Sequence, residues 1–282
     1  MDAARELYHS LLKYDGTAAH TEVLQPWLAR NREEACWIRN FGNRLGNPIP
    51  AAEPGDLYRL YALSRVCETL ILGFQQGQAD GCDWPGLVIS KAQYASFVDA
   101  VGLTIVHPTR YTPFHHEVVN LEVSREPLME PVLLSSEWPC LMIGSMLFMR
   151  AGATVLANEH QLAVGVADAT TIYWSHRRKN RPTNDLSDGW GSNSQWRTGI
   201  RRDYHFHEWF YFNVDAPCDL AALPEGTIDG CSLSKAERME LLINRSFVTT
   251  TKPHDDLFSY DDTVSIHSSL LPPPPSLPSL SR

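Results

Sequence analysis

The sequence predicts an α+β fold: N-terminal helices packed on a mostly antiparallel β-sheet, a closing helix and a disordered C-terminal tail. Apolar residues recur with helical spacing over the first hundred residues, and the spacing then changes to two. From Thr249 onward the chain is rich in Ser, Pro and Asp, a composition that does not build a core. We expect a single domain over residues 1–248, mainly helical over 1–101, mainly β over 102–215 and closed by a helix over 234–245, followed by a disordered tail over 249–282.

The first three predicted helices follow from apolar spacing and from breaker residues. The first ends near Gly16, and the second covers about residues 22–45, with Pro26 tolerated in its first turn. The third begins after Pro54-Gly55, with Asp56 as its N-cap.

Two capping boxes predict two further helices. Ser90 and Gln93 open a helix that Gly102 stops, and Ser234 and Glu237 open the closing helix. In such a box, the serine side chain and the side chain three residues later each accept a backbone N–H from the other residue.

The β part is predicted to contain short antiparallel strands. The run "CLMIGSMLFM", residues 140–149, is interpreted as one buried strand, because ten residues are too few to cross a bilayer as a helix. The stretches "RAGA" and "ANEHQ" are predicted hairpin turns, and "HQLAVGVA" is a predicted strand. A last strand is predicted from about residue 201 to 214.

Composition and motifs limit the classes of function. The chain has 282 residues and a net charge of −9, which argues against a general nucleic-acid binder. The start "MDAARELYHS" is no secretory signal, and the six cysteines form no C-x-x-C pair, so we expect a cytoplasmic protein with reduced thiols and no membrane segment. The sequence contains no G-x-x-x-x-G-K-[ST], H-E-x-x-H or G-x-S-x-G motif, and it therefore names no cofactor.

A basic, aromatic loop is the first candidate ligand site. Between His176 and Arg202 the chain carries seven Lys or Arg and two Asp, a local charge of 7 − 2 = +5. Guanidinium groups bind carboxylates and phosphates through two oxygens, and "GWGSNSQW" adds short donors and flat rings. We therefore predict a site for a small anionic metabolite that carries phosphate or carboxylate; the alternative is a loop that satisfies its own backbone. The predicted ligand-binding residues are Trp190, Ser192, Asn193, Ser194, Gln195, Trp196, Arg197, Arg201 and Arg202.

The histidines that follow form the second candidate. On a single strand, His205 and His207 would share a face and lie close enough to bind one metal ion. The spacing Gly199-x5-His205-x-His207 resembles the opening of the cupin metal motif, and the resemblance implies that both histidines are metal ligands. The acid ligand of that family would fall where Tyr211 and Phe212 stand, so we assign no metal. A metal-dependent enzyme is kept as an alternative function.

"FHHEVV" is the third candidate. Strand alternation places His115 and Glu117 on one face, where they could act as a general base and the carboxylate that orients it, or as two metal ligands. Asp203 or His205 could complete this group on a neighbouring strand. The candidate catalytic residues are therefore His115, Glu117, His205 and His207.

The tail offers a candidate partner site. Leu271–Pro275 could form a polyproline helix for an aromatic-lined groove on another protein. A non-catalytic interaction protein is thus a further alternative, and a tail without a partner is the simplest interpretation.

Overall fold

Helices dominate the first part of the chain and strands the second, as the α+β class requires. The computed structural model describes residues 3–44, 49–75, 86–170, 200–224, 233–251 and 261–271. Its α-helices are α1 (Ala3–Leu12), α2 (Gln25–Arg30), α3 (Arg32–Gly42), α4 (Pro54–Leu70), α5 (Lys91–Val101) and α6 (Lys235–Asn244). Its strands are β1 (Thr104–Val106), β2 (His116–Val123), β3 (Val132–Trp138), β4 (Cys140–Ile143), β5 (Met146–Met149), β6 (Ala151–Ala157), β7 (Asp203–Phe206), β8 (Trp209–Phe212), β9 (Cys218–Asp219) and β10 (Asp262–His267).

The strands form two sheets. The larger has the order β1-β4-β5-β7-β8-β10-β9, and every neighbouring pair in it is antiparallel except β10 and β9. The smaller has the order β2-β6-β3, in which β2 runs parallel and β3 antiparallel to β6. The predicted α+β class with a mostly antiparallel sheet is confirmed.

Alternate residues of the larger sheet face two separate cores. Leu141 and Ile143 pack into the larger core, with the N-terminal helices. Cys140 and Met142 pack into a second core, which α6 covers through Leu242. The period of two in β4 therefore reflects apolar material on both faces.

The predicted helix over residues 22–45 is interrupted at Asn31. A π-helical turn (His20–Leu24) leads into α2, and Asn31, at φ −120° and ψ 48°, separates α2 from α3. The Asn31 side chain donates its own hydrogen bond to the Trp27 carbonyl at 2.8 Å, which competes with helix continuation. Helix α4 begins at Pro54, earlier than the predicted cap at Asp56, because proline suits the first helical position.

Both capping boxes are confirmed. Ser90 and Gln93 exchange side-chain and backbone hydrogen bonds at the start of α5, and Gly102 ends that helix in the left-handed region at φ +98°. Ser234 and Glu237 make the same exchange at the start of α6.

The run predicted as one buried strand is a hairpin. Residues 140–149 form β4 and β5, which pair in antiparallel register and are joined through Gly144 and Ser145. Gly144 has φ +58°, and a Cβ there would collide with the backbone of Gly42 in α3. The glycine thus permits both the turn and the close approach of α3.

The stretch "RAGA" makes no hairpin, because Arg150 lies between β5 of the larger sheet and β6 of the smaller one. The stretch "HQLAVGVA", residues 160–167, forms turns instead of a strand. Just before these turns, the Asn158 side chain anchors the chain to the segment after β2 by donating to the Ser124 and Glu126 carbonyls and accepting from Leu128 N.

The strand predicted over residues 201–214 is also a hairpin. Strands β7 and β8 pair antiparallel, with Tyr204 opposite Tyr211 and Phe206 opposite Trp209. His207 lies in the turn with φ +53°, a conformation usually taken by Gly or Asn. The sequence carries no glycine at this turn, so the local signal for a hairpin is missing.

The predicted tail needs one correction. Residues 262–267 form β10, which pairs with β8 and β9 inside the larger sheet, and Val264 is buried. Polar residues alternate with Val264 and Ile266 in this segment. Its composition is therefore as polar as that of a disordered tail, although every second residue of the strand is apolar and lies on one face. Among the described residues, no helix is long and apolar enough to cross a membrane.

Candidate functional site

Asp203, at the start of β7, is the centre of a buried cluster of charges. It is 0% exposed, and the Arg201 guanidinium holds it with Nη2–Oδ2 at 2.7 Å and Nε–Oδ1 at 2.9 Å. Arg245 Nη2 lies 3.4 Å and Arg150 Nη2 lies 3.9 Å from the same Oδ2. Three buried guanidinium groups therefore converge on one carboxylate.

These side chains come from distant parts of the chain. Arg150 occupies the point where the chain leaves the larger sheet for the smaller one, and Arg201 and Asp203 lie at the entrance to β7. Arg245 is the C-cap of α6. The cluster thus forms only when both sheets and α6 have packed.

Two residues reach Asp203 from a left-handed backbone conformation. Arg245 has φ +62°, and Asn213 has φ +53° and donates its backbone N–H to Asp203 Oδ1 at 2.8 Å. A non-glycine residue in this region costs on the order of 1 kcal/mol or more, and such residues concentrate at functional sites. The contacts that Arg245 and Asn213 make with Asp203 therefore come with backbone strain at both residues.

Gly152 and Trp138 help to place Arg150. Trp138 Nε1 donates to the Arg150 carbonyl at 2.9 Å, and the indole lies against Gly152. A Cβ on Gly152 would lie 2.5 Å from the ring, so the close contact requires glycine. The indole thereby fixes the backbone from which the guanidinium extends.

The Arg150 side chain is only partly satisfied by the groups around it. It is 4% exposed; its Nε donates to the Phe114 carbonyl at 3.2 Å and its Nη2 to the Ile243 carbonyl at 2.6 Å. Within the described part of the chain, Nη1 has no hydrogen-bond partner. A buried, charged donor without a partner costs several times more than a neutral hydrogen bond contributes.

The cluster has an excess of positive charge. The charge of Asp203 acts on both Arg150 and Arg245, and that of Glu117 acts on Arg245, so the three guanidiniums and these two carboxylates sum to 3 − 2 = +1. Burial, then repulsion by Arg245 and Arg201, lowers the pKa of Arg150 well below its ordinary value. Burial and Arg201 lower the pKa of Arg245 to about 10.

Asp203 stays ionised within this cluster. Burial alone would raise its pKa, but the charges of Arg201 and Arg245 and the hydrogen bond from Arg201 outweigh that effect and hold the pKa below its ordinary value. A negative charge at this position is therefore strongly favoured.

Two histidines lie beside the cluster in an aromatic environment. The rings of His115 and His205 are 5.8 Å apart, edge to face. His205 stacks on Phe210 at 4.2 Å, and His115 meets Phe114 edge-on at 4.8 Å. His115 Nδ1 shares a hydrogen bond of 2.8 Å with Thr112 Oγ1. The two rings therefore meet although β7 and β2 belong to different sheets, and a shared catalytic role stays a prediction.

Burial keeps these imidazoles neutral. It lowers the pKa of His115 to about 3, with further contributions from His205, His116 and Arg150. Burial also lowers the pKa of His116 to about 4 and that of His205 by a smaller amount. Near pH 7 the site therefore combines permanent guanidinium charges with neutral imidazoles, which can accept a hydrogen bond or a proton.

The predicted pairing of His205 with His207 on one strand face is wrong. His205 belongs to β7, whereas His207 lies in the β7–β8 turn, exposed, with its ring against Phe206. In the described residues, no group of three or more His, Cys, Asp or Glu side chains is arranged to hold a metal ion.

The neighbouring arginines Arg201 and Arg202 point to different places. Arg202 forms a two-point ion pair with Asp215 and donates to Tyr204 Oη at 2.8 Å and to the Pro50 carbonyl at 3.0 Å. It therefore does not join the Asp203 cluster. Alternation at the entrance to a strand separates side chains that are adjacent in sequence.

Glu117 acts on the arginine cluster. Its charge raises the pKa of Arg245, while His115 is bound to Thr112. The pairing of His115 as a base with Glu117 as its orienting carboxylate stays a prediction. Both residues lie beside the charged cluster, Glu117 on β2 and His115 in the turn before it.

Several predicted site residues lie outside the described residues. They are Trp190, Ser192, Asn193, Ser194, Gln195, Trp196 and Arg197, and their role stays a prediction. Of the predicted polyproline segment, Leu271 is described and residues 272–275 are not.

Sequence reasoning missed Arg150 and Arg245. Arg150 follows directly on "CLMIGSMLFM", so a lone charge at the end of a buried run was an available signal. Arg245 occupies the position after α6 where a glycine is usual, which is visible only once the helix end is known.

Comparison of the chain with models of protein families, with curated proteins and with solved structures finds no match.

Proposed function

We propose that the protein binds or turns over a small phosphate- or carboxylate-bearing molecule at the arginine cluster of Arg150, Arg201 and Arg245, beside His115 and His205. The observation that supports this most directly is Arg150, a buried guanidinium whose Nη1 lacks a partner among the described residues. An anionic oxygen there would complete its hydrogen bonding and offset the positive excess.

The lowered pKa of Arg150 supports the same conclusion. The pKa of a guanidinium is lowered in this way when too little negative charge lies near its positive charge. A bound anion would supply that negative charge. The three arginines also have little freedom to move, since backbone carbonyls or Asp203 hold them. A site with fixed donors loses little conformational entropy on binding.

The histidines give the proposed site a means of proton transfer. His115 is neutral at pH 7, and its depressed pKa would rise when an anion binds nearby. A ligand that donates a proton could then use His115 or His205 as general base.

The test is ligand-dependent thermal stability of the full chain. Inorganic phosphate and acetate are titrated at constant ionic strength against sodium chloride, and at least one of them is expected to raise Tm with saturation. Arg150→Lys keeps the positive charge but removes the planar pair of N–H donors. It should raise the ligand concentration needed for a given increase in Tm about tenfold. Arg202→Lys is the matched control, since Arg202 is equally buried but bound to Asp215, and it should leave the response unchanged.

Circular dichroism of each variant separates loss of binding from loss of folding. If Arg150→Lys does not fold, His115→Gln provides the second variant, because it changes the same site without removing a cation. A wild-type Tm that responds to phosphate and acetate no more than to chloride would refute the proposed function.

A further inference from the structure

A cavity of about 510 Å³ lies between α6, the turns after β6 and the loop that leads into β2. Its volume falls within the range of about 300–1,000 Å³ that is typical of small-molecule sites. Most of its wall is apolar, and the residues that line it include Tyr111, Pro113, Pro131, Leu162, Ile243 and Val248.

The carboxylates in the wall are already bound within the protein. Glu240 accepts the backbone N–H of Val248 at 2.6 Å and of Thr250 at 3.2 Å, and it also accepts the Thr250 hydroxyl at 2.6 Å. Glu237 accepts Ser234 N at 2.7 Å as part of the capping box. These acids therefore serve the fold and are not available as counter-ions for a ligand.

The third acid lies at the outer edge. Glu130 is 59% exposed at its side chain and forms a 3.7 Å ion pair with Arg110, which is itself mostly exposed. A solvated pair of this kind contributes little to the potential inside the cavity.

The wall is also held in a fixed shape. Glu240 joins α6 to residues 248–250 by hydrogen bonds, including one to Thr249 N, and Gln161 anchors the opposite side by donating to the Leu128 carbonyl at 3.1 Å. A preformed apolar cavity is the usual form of a small-molecule site.

We infer that this cavity binds an uncharged, mainly apolar small molecule. The inference does not rest on the proposed function, since it is argued from an apolar wall and not from converging guanidinium groups, although Ile243 belongs to both regions. The lining residues that the structure describes include no Lys or Arg, and their one histidine, His160, is exposed to solvent. An anionic ligand would be desolvated there without a fixed cation beside it, so the neutral form of a given molecule should bind better than its anion.

The experiment uses Nile red, a neutral dye whose fluorescence rises in apolar surroundings, with the full chain. Ala236 lines the cavity, and Ala236→Trp should fill part of it and weaken dye binding at least about tenfold. Ala92→Trp is the matched control, because Ala92 is exposed and occupies the same position after the same Ser-Lys pair at the start of α5. The control should bind the dye as the wild type does.

Competition then tests the chemical class of the ligand. Octanol is expected to displace the dye at lower concentration than octanoate, which has a chain of the same length and a negative charge. If the dye does not bind, if both tryptophan variants weaken it equally, or if octanoate competes better than octanol, the inference is overturned. Failure here leaves the phosphate and acetate titration unaffected, so the two proposals are tested separately.

Discussion

The arginine cluster and the apolar cavity are each organised by one carboxylate, but the donors around that carboxylate differ. Asp203 forms ion pairs with three guanidinium groups, so that its surroundings carry positive charge. Glu240 gathers backbone N–H groups and hydroxyls, which carry no net charge, and an apolar wall surrounds it. The comparison teaches that a half-buried or buried acid does not by itself predict an ionic site: the charge of its partners decides which kind of ligand the surroundings favour.

The largest expected effect comes from removing the negative charge at Asp203. Asp203→Asn leaves three buried guanidiniums without their central counter-ion, and breaking a buried ion pair in this way costs about 3–5 kcal/mol of unfolding free energy. Urea denaturation measures the loss. Asp215→Asn is the control: Arg202 is buried, but Asp215 is 37% exposed at its side chain, and the Arg202 guanidinium still donates to Tyr204 Oη and the Pro50 carbonyl. The loss of unfolding free energy should therefore be smaller than at Asp203. Equal losses in the two variants would show that charge does not organise the cluster.

A smaller effect is expected at the other carboxylate. Glu240→Gln keeps the size of the side chain but weakens the hydrogen bonds to residues 248–250, at a cost of about 1–3 kcal/mol. The affinity for Nile red should fall with it, while the response of Tm to phosphate and acetate should not. If that response changes and dye binding does not, the assignment of the two regions is reversed.

The free energy of unfolding should depend on pH through the histidines beside the arginine cluster. The folded-state pKa of His115 is about 3 and that of His116 about 4, both below the value of 6.5 for an unfolded chain, so between those limits the unfolded state binds more protons. The contribution of these histidines to the free energy of unfolding is therefore fully present above pH 6.5. It falls as the pH is lowered towards 4, by up to about 1.4 kcal/mol per pH unit for each histidine. Urea denaturation of the wild type and of His115→Gln between pH 7.5 and 4.5 measures this slope, which should be shallower in the variant. Identical slopes would contradict the assignment of a neutral, buried His115.

Local signals predicted the helices well and the site poorly. The capping boxes at Ser90 and Ser234 involve residues three apart, so the sequence alone is sufficient to find them. The hairpin turn at His207 was missed because its residue is not one that the turn normally selects. The cluster joins residues 150, 201, 203 and 245, whose approach depends on the packing of two sheets and a helix. Of its members, sequence reasoning proposed Arg201 as an anion ligand and Asp203 as a possible partner of the histidines.

Strand β10 has a consequence for how the protein is made. It pairs with β8 on one side and β9 on the other, so β8 keeps an open edge and β9 lacks this partner strand until residue 267 has left the ribosome. An unpaired strand edge invites pairing with another chain. A nascent or prematurely terminated chain that lacks β10 would therefore be prone to aggregate, although every residue of the arginine cluster had already been synthesised.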